Sequence, residues 1–173
     1  MSLTDTPSAE RVHIGFFGMR NAGKSSLVNK ITGQEMSVVS DVKGTTTDPV
    51  RKTMELLPIG PVVIIDTPGF DDVGELGQKR VQKTVEILGL TDIAILVTDA
   101  SREMTLEEKE LIDIFKTKNP PYLVVYNKSD LLDGTVEAAE GSIYVSSKTG
   151  ENIYELKEKI GRVVSEAKTA EVR

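Results

Sequence analysis

The stretch GMRNAGKS, residues 18–25, decides the fold of this 173-residue chain. It follows the apolar run VHIGFF (residues 12–17) and opens KSSLVNKIT (residues 24–32), whose apolar side chains share one helical face. It satisfies the pattern G-x-x-x-x-G-K-[ST] between a buried strand and a helix. Glycines let successive N–H groups converge on phosphate oxygens, and the helix adds its positive end. The sequence therefore predicts a phosphate-binding loop.

Two side chains in this loop carry specific chemistry. Lys24 would reach the β- and γ-phosphates of a nucleotide, and the Ser25 hydroxyl would ligate Mg²⁺. The alternative is an accidental glycine-rich turn. A chance match in a chain of this length is on the order of one in a hundred, given glycine at about 7% of residues.

Short apolar runs alternate with stretches of helical period along the chain. This alternation predicts an α/β fold, with a mostly parallel six-stranded sheet and helices on both faces. Residues 132–141 are short for a helix plus its connections, so we expect a trimmed helix there. The predicted strands are 12–17, 50–57 (an edge strand), 62–65, 93–98, 122–126 and 142–145, and the predicted helices are 24–32, 75–88, 105–116 and 152–167.

Length and composition point to one cytoplasmic domain. A net charge of −6 disfavours wholesale binding to nucleic acid, and the lack of cysteine excludes a disulfide framework or a Cys-ligated cluster on this chain. No apolar run is long enough to span a membrane, and the N-terminus has no signal-peptide core. We expect a flexible segment at residues 1–10, the nucleotide-binding domain at 11–168, and a tail or the start of a linker at 169–173.

A second motif, NKSD (residues 127–130), follows the apolar strand YLVVY. Guanine presents an N1–H and a 2-amino group side by side, and the Asp130 carboxylate can accept from both, whereas adenine offers no such pair. Asn127 can contact the base edge and brace the phosphate loop, and the stem of Lys128 can cover the base plane. Alone, NKSD could be a polar turn, but about a hundred residues after a phosphate loop it favours a guanine nucleotide.

Five elements together resemble the translation-factor-class GTPases: the phosphate loop, GTTTD (residues 44–48), DTPG (66–69), NKSD and SSK (146–148). The resemblance implies the G-domain fold of P-loop NTPases and GTP hydrolysis with Mg²⁺. It likens Thr46 to the threonine that senses Mg²⁺ and the γ-phosphate, Asp66 to the carboxylate that holds Mg²⁺ through water, and the Gly69 N–H to a γ-phosphate donor. The nucleotide-binding residues it implies are Asn21, Ala22, Gly23, Lys24, Ser25, Ser26, Thr45, Thr46, Asp66, Gly69, Asn127, Lys128, Asp130, Ser146, Ser147 and Lys148.

The side chain that orients the attacking water in Ras-like GTPases is replaced in this chain. Ras-like GTPases carry a water-orienting glutamine where this chain has Phe70, so we expect slow intrinsic hydrolysis. Asn21 resembles the asparagine with which the TrmE/Era/EngA/Septin-like class binds K⁺, and the carbonyls of Ser40 and Val42 would complete that site. The alternative is that Asn21 bonds only within its own loop. Glu75 is a weak candidate for steering water, and a solvated acidic loop is the simpler interpretation.

The wording of three segments resembles one branch, the [FeFe]-hydrogenase maturation GTPase (HydF) family. These segments are FFGMRNAGKSSLVN (residues 16–29), SVVSDVKGTTTDPV (37–50) and LPIGPVVIIDTPGFDDVGELGQKRV (57–81). That family continues into dimerisation and cluster-binding domains outside this chain, so no iron–sulfur cluster carries over. The resemblance implies hydrogenase and other maturation proteins as partners.

Other interpretations of the same residues remain open. A ribosome- or tRNA-modification-associated GTPase of the same class is one, although no basic RNA-binding appendage is seen. A nucleotide-binding module with negligible hydrolysis is another. The class also implies a nucleotide-dependent homodimer.

Overall fold

The computed structural model describes residues 11–33, 50–67, 77–134 and 136–172. A six-stranded sheet with the order β2-β3-β1-β4-β5-β6 forms its centre. Every strand pairing is parallel except the antiparallel pair of β2 and β3, so the predicted mostly parallel sheet is confirmed. The strands are β1 (Val12–Gly18), β2 (Val50–Leu56), β3 (Gly60–Asp66), β4 (Ile93–Asp99), β5 (Tyr122–Asn127) and β6 (Ser142–Tyr144).

In the described ranges, four α-helices cover the two faces of the sheet. They are α1 (Lys24–Thr32), α2 (Gly77–Leu88), α3 (Leu106–Lys118) and α4 (Ile153–Val172). Helices α1 and α4 pack on one face, with Leu27, Ile31 and Leu156 in its core. Helices α2 and α3 pack on the other, where the Phe115 ring meets the Phe17 ring edge-on at 5.2 Å.

Local signals set the helix ends. Gly33 adopts a left-handed conformation and ends α1, as its position predicts. Thr105 caps α3 in a capping box with Glu108: the Thr105 side chain accepts from the Glu108 N–H, and the Glu108 carboxylate accepts from the Thr105 N–H. The capping box therefore fixes the start of α3.

The predicted end of α4 differs from the structure, whereas the other predicted boundaries lie within two residues of the observed ones. Helix α4 runs to Val172, whereas we expected it to end at residue 167. Its last turns are rich in Ala, Glu and Lys and hold no breaker, so helix propensity extends them beyond the last buried apolar residue. The connection from β5 to β6 forms only a 3₁₀ turn (Ser129–Leu131) in its described part, consistent with a trimmed helix.

Candidate guanine-nucleotide site

The carboxyl ends of β1, β3, β4 and β5 meet at one edge of the sheet. Because these strands are parallel, Phe16 lies opposite Asp66, and Asp99 lies opposite Asn127. After β1 the chain enters α1 on one face of the sheet, and α2 precedes β4 on the other. Ligands of open α/β sheets bind at such a switch point.

Glycines shape the phosphate loop at this edge. Gly18 and Gly23 have φ angles of 140° and 80°. A Cβ atom on Gly23 would stand 2.6 Å from the Asn127 side-chain nitrogen, so a larger residue would displace that asparagine. Gly23 is also the N-cap of α1 and provides no side-chain cap, which leaves the first N–H groups of the helix suited to an anion.

Lys24 and Asp66 form a buried ion pair inside the loop. The Lys24 ammonium also donates to the Thr67 carbonyl at 3.2 Å, and the Thr67 hydroxyl donates to the Phe16 carbonyl at 2.8 Å. The structure thus brings the predicted phosphate-binding lysine and the predicted Mg²⁺ carboxylate together. Ser25 lies half-buried in the next position of the helix, and Ser26 is exposed.

Asn127 joins the phosphate loop to the SSK loop on the base side (residues 146–148). Its fully buried side chain donates to the Ala22 carbonyl at 3.1 Å and to the Gly23 carbonyl at 3.4 Å. Its side-chain oxygen accepts from the Ser147 N–H at 3.0 Å, and its amide nitrogen lies 3.3 Å from the Ser147 hydroxyl. One amide therefore holds the backbones of both loops.

Asp130 is held by the adjacent SSK loop. The Ser146 hydroxyl donates to one Asp130 carboxylate oxygen at 2.8 Å and accepts from the Thr149 N–H at 3.0 Å. Ser146 is fully buried, whereas Asp130 and Lys148 are exposed. The structure orients the Asp130 carboxylate while leaving it accessible for hydrogen bonds to a base.

Lys128 crosses from the base side to the phosphate loop. It has a left-handed φ of 66°, and its ammonium donates to the Asn21 carbonyl at 2.7 Å and lies 3.2 Å from an Asp99 carboxylate oxygen. Burial alone would raise the pKa of Asp99, but hydrogen bonds from Ser101 and the nearby Lys128 outweigh it and hold that pKa below its usual value.

A second cation, Arg102, lies beside Asn21 of the phosphate loop. Its guanidinium donates to the fully buried Glu108 carboxylate at 2.7 and 3.3 Å. Burial opposes ionisation of Glu108, but hydrogen bonds from Arg102 and the Thr105 N–H outweigh that penalty and lower its pKa. The hydrogen bond to Glu108 also raises the pKa of Arg102. Its Nη2 lies 3.5 Å from the Asn21 side-chain oxygen.

Sequence reasoning missed Asp99 and Arg102. Asp99 ends a buried strand at the same edge as Asp66, so its position after IAILVT was a usable signal. Arg102 follows in a turn without a motif, and only the tertiary structure places it beside Asn21. The single histidine, His13, lies in β1 with its ring nitrogen 3.0 Å from the Arg11 carbonyl oxygen.

Several predicted site residues lie outside the described part of the chain. They are Ser40, Val42, Thr45, Thr46 and Gly69, together with Phe70 and Glu75, and their roles stay predictions. Within the described ranges, no cluster of three or more acidic or histidine side chains could hold a metal ion. No helix of those ranges is long and apolar enough to cross a membrane.

Comparison with known proteins agrees with the guanine-nucleotide site described above. The profile of the family described as "50S ribosome-binding GTPase" matches residues 13–128. The chain belongs to this GTPase family. It is a G domain of the TrmE/Era/EngA type, and it hydrolyses GTP to GDP and phosphate. Family membership therefore weighs against a passive nucleotide-binding module.

Individual relatives agree with the family. The chain is 35% identical to the tRNA modification GTPase MnmE of Legionella pneumophila (strain Paris) over 151 residues, covering 85% of this chain and 33% of MnmE. It is 34% identical to GTPase Der of Kosmotoga olearia over 129 residues, covering 72% of this chain and 29% of Der. The chain thus spans about a third of these relatives.

A solved structure shows the same fold. Aquifex aeolicus Era bound to GDP and AlF4⁻ has a TM-score of 0.71 to this chain and 24% identity, covering 87% of this chain and 56% of Era. The likeness confirms the predicted G-domain fold of P-loop NTPases. The named relatives are not hydrogenase-maturation proteins, and they support the alternative of a tRNA- or ribosome-associated GTPase better than the HydF interpretation.

Proposed function

We propose that this domain is a K⁺-stimulated GTP switch of a larger protein. The observation that carries the proposal is the placement of Asn21. Its side chain is exposed on the phosphate loop, while Lys128 holds its backbone carbonyl at 2.7 Å. Amide and carbonyl oxygens suit a hard cation, so the donor chemistry of Asn21 fits K⁺. When bound beside the phosphates, K⁺ would supply positive charge to the transferring phosphoryl group.

The donor set beside Lys24 fits Mg²⁺. The Ser25 hydroxyl and the buried Asp66 carboxylate are oxygen ligands of the kind that Mg²⁺ prefers, and Thr46 is a third proposed ligand. When bound with nucleotide, Mg²⁺ would neutralise charge on the phosphate oxygens. Lys24 brings its ammonium to the inner wall of the loop, where Asp66 and the Thr67 carbonyl hold it.

Charge and positioning carry the catalysis that we propose. The N–H groups of the phosphate loop and the start of α1 orient the phosphates, and Lys24 stabilises the charge that develops on them. Phe70 has no group that could orient water, so we expect slow turnover without the cation. Asn127 and Asp130 select guanine by holding the base-side loop and accepting from the base.

The test is the GTP hydrolysis rate in KCl and in NaCl at equal ionic strength. We expect faster hydrolysis in KCl, and loss of that difference in Asn21→Ala. Asn119→Gly is a matched control, because it removes an exposed asparagine at the far end of α3 and keeps the left-handed conformation there. Equal rates in both salts for the unchanged domain would rule out the K⁺ mechanism.

The larger protein has two candidates. The MnmE and Der relatives favour a tRNA-modification or ribosome-associated GTPase, and we propose this as the first candidate. The segments TTTDPV (residues 45–50) and DDVGELG (71–77) favour a hydrogenase-maturation GTPase, with hydrogenase-assembly proteins as partners, as the second. We place both in the cytoplasm. A nucleotide-dependent homodimer of the switch is compatible with either.

A domain exchange separates these candidates. The G domain of an MnmE-type protein and that of a hydrogenase-maturation GTPase would each be replaced by this chain, in strains that lack the native protein. Recovery of tRNA modification alone would support the first candidate. Recovery of hydrogenase activity alone would support the second and overturn the first.

A further inference from the structure

Arg102 occupies a position that no nucleotide-binding motif explains. It lies in the turn between β4 and α3, and its side chain is 28% exposed. Its Nη1 and Nη2 donate to the Glu108 carboxylate, and Nη1 also donates to the Glu103 carbonyl at 3.0 Å. A guanidinium with this many acceptors has little freedom to rotate.

Glu108 is itself immobile. It is fully buried in the first turn of α3, and the same carboxylate oxygen that Arg102 contacts at 2.7 Å accepts from the Thr105 N–H at 2.8 Å. The capping box of α3 thus fixes the carboxylate, and the carboxylate fixes the guanidinium. A buried carboxylate without this partner would be costly, so the pair persists as a unit.

Besides Glu108, the guanidinium faces Asp99, whose carboxylate oxygen lies 4.0 Å from Nε, and Asn21. Its Nη2 lies 3.5 Å from the Asn21 side-chain oxygen, while Lys128 holds the Asn21 backbone carbonyl from another direction. Asn21 is otherwise exposed on its loop. Both its backbone and its side chain are therefore approached by cations anchored to acidic residues: Asp99 anchors Lys128, and Glu108 anchors Arg102.

We infer that Arg102, fixed by Glu108, is a positioning residue that orients the side chain of Asn21. This inference rests on the proposed function, in which the Asn21 oxygen binds K⁺. Groups that orient a metal ligand typically change metal affinity or activity by about 10- to 100-fold when removed. Arg102 contacts neither Asp130 nor Lys24 in the described contacts, and its only link to Lys128 is the longer approach of its Nε to Asp99 at 4.0 Å. We therefore expect its removal to change nucleotide affinity little.

The experiment uses the double variant Arg102→Met with Glu108→Gln. The glutamine oxygen can still accept from the Thr105 N–H, and no unpaired carboxylate is left buried, so we expect the domain to fold. A melting curve verifies this. We expect the K⁺-stimulated rate to fall about 10-fold or more, and the Kd for fluorescently labelled GDP to stay within about twofold. Lys109→Met, which removes an exposed cation of α3, is the matched control.

A comparison with Asn21→Ala tests whether Arg102 acts through Asn21. If it does, adding the double variant to Asn21→Ala causes no further loss of rate, because residues that act through one another are not additive. A full, additive loss in that background would overturn the inference. So would a double variant as fast as the unchanged domain while Asn21→Ala is slow, which would leave the K⁺ proposal standing.

A spectroscopic measurement is independent of turnover. In the GDP-bound domain without K⁺, the side-chain amide resonances of Asn21 should shift or broaden in the double variant and stay in place in Lys109→Met. Unchanged Asn21 resonances would overturn the inference whatever the rates show. If Asn21→Ala hydrolyses GTP as fast as the unchanged domain, the K⁺ proposal fails, and the amide resonances alone decide the position of Arg102.

Discussion

The base-side loops (residues 127–130 and 146–148) and the outer side of the phosphate loop, around Asn21, are held by different kinds of interaction. On the base side, the neutral side chains of Asn127 and Ser146 are fully buried and make hydrogen bonds of 2.8 to 3.4 Å, one of them to the Asp130 carboxylate. On the outer side of the phosphate loop, exposed Asn21 is approached by Lys128 and Arg102. Buried neutral hydrogen bonds survive changes of salt, whereas partly exposed charges are screened. The contacts on the outer side of the phosphate loop should therefore depend on salt more strongly than those on the base side.

We expect the largest effect from replacing Lys24, because its ammonium is the positive charge on the inner wall of the phosphate loop. We expect Lys24→Ala to lower kcat by about 100- to 1,000-fold, the usual effect of removing one preorganised charge donor. The measurement is GTP turnover at saturating nucleotide. Lys30→Ala, an exposed lysine of the same helix, is the control. An active Lys24→Ala protein would contradict the assignment of the phosphate loop.

The next largest effect is expected on the base side, from replacing Asp130. Replacing it with Asn removes a charged acceptor for the guanine N1–H and amino group, and hydrogen bonds to charged groups contribute about 1.5–3 kcal/mol. We expect GTP affinity to fall by about 10- to 150-fold and affinity for XTP to rise. Competition of GTP and XTP with labelled GDP measures both.

The matched control for that change is Asp133→Asn, which alters an exposed carboxylate in the same connection. Unchanged GTP and XTP affinities in Asp130→Asn would show that another group reads the base. The hydrogen bond from Ser146 would then have a purely structural purpose.

The smallest expected effect is a pH dependence of stability on the charged side. The pKa of Glu108 lies below its ordinary value of 4.5 in the folded chain. The unfolded chain therefore takes up the proton first as pH falls, and the stabilisation, complete above 4.5, is lost as pH falls through and below that value. Glu108→Gln should flatten the fall of melting temperature between pH 6 and pH 3 by a few degrees, since about 1 kcal/mol shifts it by roughly 2–4 °C.

Exposed Glu158 provides the comparison for this titration, because Glu158→Gln changes the same residue type on α4. Equal slopes for Glu108→Gln and the unchanged domain would contradict the charged pair of Glu108 with Arg102. Asp99, whose pKa is also lowered, is present in all variants and cancels from the comparison.

The prediction from sequence succeeded where local physics decides the outcome. The six strands and four helices of the described ranges follow from apolar periodicity, and Gly33 and Thr105 mark helix ends through chemistry that acts within one turn. It was less accurate at α4, where the apolar stripe ends before the helix does. Strand and helix boundaries depend on propensity as well as burial, so periodicity alone places them only approximately.

By itself, the sequence predicted the phosphate loop, the proposed guanine-reading residues and the GTPase class, because these depend on residue types at fixed spacing, whereas the named relatives do not support its HydF branch. The NKSD motif predicted that Asn127 braces the phosphate loop, but only the tertiary structure decided that it does so through the Ala22 and Gly23 carbonyls and that Lys24 pairs with Asp66. It alone placed Arg102 beside Asn21. These partners are separated by 42 to 105 residues of chain. Contacts over such separations arise when parallel strands end at one edge of a sheet, and no local pattern encodes them.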